Sequence, residues 1–393
     1  MTEQTNIQVP HPLRILFVSD HLGHDGGRIH GATRYFLDVL PRLHQVKQLT
    51  LHVAFLREYH PAAKTLHQQG IFPVFLSRSK LDPRAIWDLV SLIRKHKIQL
   101  LHCAGMKGIL CGRIAAKITG VYCIDHFHDM IPPSRGIRYL LRRTRKYSAQ
   151  SVAISQAVAA FIEETFNISA NRITCIHNGV RVEDFANVKS PSDIEALRKE
   201  FGIPAQSVVL TCLGRLHPQK GQRDAIAALQ GLHDATIWLL LVGDGPDRSH
   251  LEKLAKDMQV IIAGQRDDIP QLLSITSIML VPSTSEGLGL AAMEALAAGV
   301  PVIAYDVGGL SEMVKHGENG LLVPTGNIDE LRKSIRYVLD NPSVYRKLSD
   351  TAQHKAQTYS LDRHVTQLVT LYDKICFQAE NDARNRMNRD ATK

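Results

Sequence analysis

No run of about 18 consecutive apolar residues occurs in this 393-residue chain, so no segment is expected to cross a bilayer as a helix. Met1 to Pro12 is polar and has no apolar centre, which argues against a signal peptide. The six cysteines (Cys103, Cys111, Cys123, Cys175, Cys212 and Cys376) include no Cys-x-x-Cys pair. That speaks against a zinc site and for scattered buried thiols in a reducing cytosol. No repeat of 20–50 residues recurs, and no low-complexity segment interrupts the chain. What is present is 44% hydrophobic content over 393 residues, enough to bury the cores of two α/β domains.

Charge is distributed unevenly. Residues 1–190 hold 25 Lys and Arg against 13 Asp and Glu, a net of +12, whereas 191–393 hold 22 against 25, a net of −3. A basic first half suggests an anionic partner. Its densest patch is Arg135, Arg138, Arg142, Arg143, Arg145 and Lys146 around Tyr139-Leu140-Leu141. Two readings stay open for this patch: a solvated helix face, or a surface helix lying on anionic lipid headgroups. Nucleic acid is not an expected partner.

Strand-like and helix-like segments alternate twice along the chain. The first series has strands at Ile15–Val18, Leu51–Phe55, Pro73–Leu76, Leu100–Cys103, Val121–Asp125, Ser151–Ile154 and Ile173–Ile176. Helices fall between them at Thr33–Leu43, Ala85–His96, Ile109–Thr119 and Ser155–Phe166. The second series has strands at Val208–Cys212, Ile237–Val242, Gln259–Ile262, Ile278–Val281, Val302–Ala304 and Gly320–Val323. Alternation of this kind predicts parallel sheets covered by helices on both faces. The expected organisation is a disordered N-terminus (1–12), a first Rossmann-like domain (13–183), a linker (184–206), a second Rossmann-like domain (207–360), a terminal helix (361–380) and a disordered tail (381–393). Ligand would then sit in the cleft between the strand C-termini of two doubly wound α/β domains.

One stretch carries chemistry. Ile278–Val281 reads as a buried strand, Pro282 to Ser285 as a turn, and Leu290 to Ala298 as a helix ended by Gly299 and Pro301. Glu286 stands just before that helix and Glu294 within it, and Gly287 and Gly289 let backbone press close to a ligand. Exposed N–H groups and the positive helix end make a seat for an anion. Eight helical residues rise about 12 Å, so the two carboxylates can grip opposite ends of an extended ligand. A nucleotide sugar, with hydroxyls at both ends and phosphates between, fits that spacing. The bland alternative is an amphipathic helix with two exposed acids.

Further loops point the same way. Gly214-Arg215-Leu216-His217-Pro218-Gln219-Lys220-Gly221 follows the second series' first strand and brings two cations to a strand end. Arginine offers a planar fork to phosphate oxygens and lysine a compact charge. Gly243-Asp244-Gly245-Pro246 and Gly264-Gln265-Arg266 close two further strands. In this order the pieces resemble the retaining glycosyltransferases of family 4, which have the GT-B fold. The likeness also takes in Gly287-Leu288-Gly289-Leu290, Gly308-Gly309-Leu310-Ser311-Glu312 and Gly317-Glu318-Asn319-Gly320. It extends to the closing helix from Tyr359-Ser360 to Leu371-Tyr372, which in that family crosses back to the first domain.

The resemblance implies roles. Arg215 and Lys220 would clasp the donor's diphosphate, and Glu286 would hold the donor sugar beside the amides of Gly287, Leu288, Gly289 and Leu290. Glu294 would hold the ribose, and main chain around Gln265 and Arg266 would meet the base; Gly214 and Gly243 shape the loops. No metal is expected, and no Asp-x-Asp triplet of the metal-binding kind occurs. In Asp125-His126-Phe127-His128-Asp129 the family's active-site histidine aligns with His128, with His126 the alternative. Ala153-Ile154-Ser155 and His177-Asn178-Gly179-Val180 match family landmarks, although Arg181 follows where an acid is usual. The family's paired glycines before the first helix are replaced by His30-Gly31, with Gly26-Gly27 displaced upstream. Gly31 would still allow close approach of phosphate or acceptor.

The reading is a retaining hexosyltransferase moving sugar from a UDP- or GDP-linked donor to a hydroxyl acceptor. That acceptor is expected to be an anionic or lipid-linked glycan of the cell envelope, of the lipopolysaccharide type. The expected location is cytoplasmic, peripheral on the inner face of the cytoplasmic membrane. Rivals are a sugar-nucleotide epimerase or phosphorylase on the same fold, or a non-catalytic binder of nucleotide sugars.

Overall fold

The computed structural model describes residues 12–23, 31–79, 82–186 and 190–390. Residues 1–11, the Gly26-Gly27 pair, His30 and the last three residues of the expected tail lie outside the described residues. The chain divides into two compact units. One takes in Met1–Ile154, Val158–Ile176 and Asp362–Lys393, the other Ser155–Ala157 and His177–Leu361.

In the first unit the strands are β1 (Leu13–Ser19), β2 (Leu49–Phe55), β3 (Val74–Phe75), β4 (Leu100–Ala104), β5 (Tyr122–Phe127), β6 (Gln150–Ala153) and β7 (Ile173–Cys175). They pair in parallel in the order β3-β2-β1-β4-β5-β6-β7. Near-continuous apolar strands suit a sheet covered on both faces. Ile15, Leu16, Phe17 and Val18 accordingly are all buried, whichever way they point. Strand order reverses between β1 and β4, and loops at the carboxyl ends of such a pair are where doubly wound folds place their sites.

The base of β5 is locked by a buried ion pair. Arg113 Nη2 and Nε donate to Asp125 at 2.6 and 3.0 Å, and Ser151 Oγ donates to the same carboxylate. A further Arg113 nitrogen reaches the Leu141 carbonyl at 2.8 Å, tying the helix Arg135–Thr144 to β5. A buried charge is tolerated only when paired and hydrogen-bonded this completely.

In the second unit β8 (Val208–Leu213), β9 (Ile237–Val242), β10 (Val260–Gly264), β11 (Ile278–Val281), β12 (Val302–Tyr305) and β13 (Gly320–Val323) form a parallel sheet ordered β10-β9-β8-β11-β12-β13. Its core gathers Leu210, Leu239, Leu241, Ile278, Leu280 and Ile303 under flanking helices. Here the order reverses between β8 and β11.

All thirteen expected strands form, and β9, β11 and β13 keep the bounds read from sequence. Two segments differ from expectation. Residues 184–206 are no simple linker: they carry most of the helix Glu183–Ala186 and all of Pro191–Glu200, and belong to the second unit. Ser190-Pro191, inside the expected linker, starts a helix. Ser190 Oγ accepts the Asp193 N–H and Pro191 occupies the first turn, where its missing N–H costs nothing. The terminal helix, expected to end at 380, runs from Leu361 to Asp390. Its extension contains no glycine or proline and includes the good helix formers Ala383, Arg384, Arg386 and Met387. From Asp362 on, this helix groups with the first unit, as the resemblance implied. Among the described residues no helix is long and apolar enough to cross a membrane.

Candidate active site

Two loops meet at the carboxyl ends of β8 and β11, the strands flanking the second unit's reversal. Thr284 N donates to Gln219 O at 2.8 Å, and Gln219 Nε2 donates to Ser285 O at 3.0 Å. Gly221 sits between them with φ +67°, and a Cβ there would strike the Pro282 carbonyl. Only glycine fits, because the position demands both left-handed backbone and no side chain.

This stitching brings Lys220 and Glu286 into direct contact. Lys220 Nζ donates to Glu286 Oε1 at 2.5 Å, and the buried Ser283 Oγ donates to the same oxygen at 2.9 Å. Their side chains are 31% and 12% exposed, so the pair lies at a surface rather than inside the core. Sequence reasoning treated the two as separate grips on a ligand; the fold makes them one charged unit. Arg215 is exposed, its carbonyl held by Nε2 of the buried Gln222 at 3.0 Å. Gly214 N bonds Val242 O, and Gly243 packs so tightly on Gly214 that a Cβ at 243 would overlap its carbonyl.

The helix expected after Glu286 forms. Gly289, with φ +99°, leads into the helix Leu290–Ala297, which ends at Ala298 and the left-handed Gly299. Leu288 is buried, and Gly287 O accepts from Ser155 Oγ at 2.6 Å within the same unit. Glu294 lies half-buried on that helix. At the ends of β9 and β10, Gly243 N donates to Gly264 O at 2.7 Å and Gln265 is exposed. The guanidinium of Arg266 is engaged by Glu200 and Asp268, at 2.6 and 2.7 Å, and these hydrogen bonds raise its pKa further.

In the first unit His126 is the last residue but one of β5 and wholly buried, whereas His128 follows the strand and is half-buried. Burial, with a smaller push from His364, takes the His128 pKa down to about 3. Burial likewise holds His102 and His126 well below the usual imidazole range. All three imidazoles are therefore neutral near pH 7. Gly31 opens the helix Gly31–His44 and is exposed. The switch-point helix of this unit, Met106–Thr119, is already capped. Asp20, at the end of β1, accepts Lys107 N at 3.3 Å and Gly108 N, and burial raises its pKa. The corresponding helix of the second unit, Leu290–Ala297, has no side-chain cap on its N-terminus from Gly289.

Reasoning from sequence missed Tyr35, His102, His364 and Tyr372, which cluster with His126 and His128. It also missed Gln219, Gln222 and Ser283, which shape the Arg215, Lys220 and Glu286 loops. Their types in surface-like loops carry no signal without the fold.

The family described as "Glycosyl transferases group 1" matches residues 193–355, and "Glycosyltransferase Family 4" matches 29–184. The chain belongs to glycosyltransferase family 4 and is a glycosyltransferase. It is 29% identical to the 2-deoxystreptamine glucosyltransferase of Streptomyces kanamyceticus, over 66% of this chain and 73% of that protein. It is 25% identical to the UDP-Gal:alpha-D-GlcNAc-diphosphoundecaprenol alpha-1,3-galactosyltransferase of Escherichia coli, over 74% and 79%. The crystal structure of Anabaena HepE with UDP-glucose superposes with a TM-score of 0.79 at 25% identity, covering 92% of this chain and 100% of that one. These neighbours carry the GT-B fold.

Proposed function

We propose that this enzyme is a retaining transferase that takes a hexose from a nucleoside diphosphate sugar and gives it to a hydroxyl of an envelope or lipid-linked glycan. The supporting observation is the convergence at the ends of β8 and β11: Lys220 bonded to Glu286, with Arg215 and the open N-terminus of the helix Leu290–Ala297 on the same loops. UDP-glucose in the HepE structure and a lipid diphosphate-linked acceptor in the name of the Escherichia coli relative favour a UDP donor and an acceptor of that class.

In this mechanism the bond from the sugar's anomeric carbon to phosphate oxygen breaks while a bond to the acceptor oxygen forms on the same face. The acceptor proton passes to the departing phosphate oxygen, so no strongly basic side chain is required. What the protein supplies is stabilisation of charge gathering on the diphosphate, and preorganised donors of this kind are worth about 3–4 kcal/mol each. Arg215, Lys220 and the helix amides take that role. Glu286 orients the sugar, Glu294 holds ribose, and neutral His128 donates or accepts at the sugar's outer hydroxyls. With the charges of Lys220 and Arg215 and a helix end to neutralise the diphosphate, the reaction needs no metal in this mechanism. A panel of UDP- and GDP-sugars tests this: nucleotide release should survive EDTA, and the new linkage should keep the donor's anomeric configuration. An inverted product, or activity abolished by EDTA and restored by a divalent cation, would contradict it.

The basic helix supports docking on an anionic bilayer. Ile131, Tyr139 and Leu140 are exposed large apolar residues, and Arg135, Arg143 and Lys146 are exposed beside them. Leu141 and Thr144 anchor the helix inward. Arg142 is partly spent on the carbonyls of Thr165 and Glu164. Each remaining cation near anionic lipid contributes about 1 kcal/mol. The enzyme should pellet with phosphatidylserine vesicles in about 50 mM salt, lose that association near 0.5 M, and ignore phosphatidylcholine. Arg135→Glu with Arg143→Glu should abolish pelleting; binding indifferent to lipid charge would remove the docking surface.

A further inference from the structure

We infer that Tyr35, His126 and the terminal-helix residue His364 are positioning residues for His128, so that the terminal helix sets the orientation of the first unit's active-site imidazole. This rests on the assignment of His128 to the donor sugar. Six aromatic polar side chains from four elements meet here. Tyr35 comes from the helix Gly31–His44, His102 from β4, His126 and His128 from β5 and its end, and His364 and Tyr372 from the terminal helix. From β1 only Phe17 enters, stacked on His102 with centroids 4.5 Å apart.

Two branches run from the terminal helix to His128. Along one, the Tyr372 hydroxyl lies 2.6 Å from His102 Nδ1, and His102 Nε2 lies 3.0 Å from His126 Nδ1. The His126 ring then packs against His128 with centroids 4.1 Å apart. Along the other, the Tyr35 hydroxyl lies 3.1 Å from His364 Nε2 and 3.5 Å from His126 Nδ1. The Tyr35 ring meets His128 edge-on at 4.6 Å. His128 is therefore clamped between the face of one ring and the edge of another, and each of those rings is hydrogen-bonded behind.

A core assembled for stability alone would place hydrocarbon here. Burying polar atoms has a desolvation cost that leucine or phenylalanine avoids. Tyr35, His102, His126, His364 and Tyr372 are nonetheless all buried. The Nε2 atoms of His126 and His128 are buried and have no hydrogen-bond partner among the described residues. Bonds at Nδ1 decide what the opposite nitrogen of an imidazole presents. The arrangement thus fixes the His126 tautomer through its Nδ1, holds the His128 ring by packing, and leaves both Nε2 atoms unspent among the described residues.

Long-range ¹H–¹⁵N imidazole spectra of the full chain test this, with His128 assigned by its loss in His128→Gln. The wild-type ring should show one neutral tautomer and titrate below about pH 5, since burial disfavours the cation. Tyr35→Phe removes one hydroxyl and keeps the ring. It should move the His128 nitrogen shifts toward the tautomer average and raise the titration midpoint by about one unit or more, as water reaches the ring. Tyr372→Phe and His364→Gln should do the same to a smaller degree, and they serve if Tyr35→Phe does not fold. His128 shifts and midpoint unchanged in every folded variant would overturn the inference, even if melting temperatures fall. The underlying assignment fails separately: His128→Ala with wild-type sugar transfer removes His128 from the chemistry whatever the spectra show.

Discussion

Lys220→Ala should lower turnover by at least about a hundredfold, and Arg215→Ala by a similar factor, because each removes one preorganised donor to the developing diphosphate charge. The two residues share a loop but differ in setting. Lys220 Nζ is held on Glu286 at 2.5 Å, so its ammonium is already aimed before any ligand arrives. Arg215 is exposed, and only its main chain is fixed, by Gln222. Lys220 should therefore act mainly on kcat. Arg215 pays more ordering entropy on closing over phosphate, and its loss should divide between kcat and KM. Arg215→Ala opens no cavity and breaks no ion pair, so the melting temperature should shift little, whereas Lys220→Ala leaves the largely buried Glu286 carboxylate without its cation and should lower it. Wild-type rates in both variants would remove the charge-stabilisation mechanism.

Glu286→Gln should tighten UDP binding while slowing transfer. In the ligand-free protein the Glu286 carboxylate competes with diphosphate for the Lys220 ammonium, and it also repels the anion. An ion pair this close to solvent is worth about 1 kcal/mol or less, so neutralising it should improve the UDP dissociation constant by up to about fivefold. Turnover should nonetheless drop at least about tenfold, because the carboxylate that orients the sugar hydroxyls is gone. Titration calorimetry with UDP, beside initial rates on the active donor, reads both effects. If Glu286→Gln weakens UDP binding, the pair does not compete with diphosphate and the carboxylate acts by shaping the loop.

The strands were legible because parallel strands buried on both faces leave continuous apolar runs. Ile237–Val242 and Ile278–Val281 could be bounded from the chain alone. The second unit's site was legible for a related reason: its loops fall at strand ends, marked by glycines that close backbone contacts require. Gly221 against Pro282 and Gly243 against Gly214 are two such contacts. Pairings across the fold were not legible. Lys220 and Glu286 are separated by 66 positions, His102 and His126 by 24, and Tyr35 and His364 by 329. No local pattern encodes a contact over such distances, and among nineteen histidines nothing in the sequence marked His102 or His364. The helix inside the expected linker was not legible because Ser-Pro suits both a turn and a helix start; the Ser190 cap on Asp193 decides between them.

A crystal structure of the enzyme with UDP tests the diphosphate seat most directly. The β-phosphate should lie within hydrogen-bond distance of Lys220 Nζ and the Arg215 guanidinium, against the amides that begin the helix Leu290–Ala297, with the ribose on Glu294. UDP bound elsewhere, or seated there with its diphosphate turned away from both cations, would contradict the account.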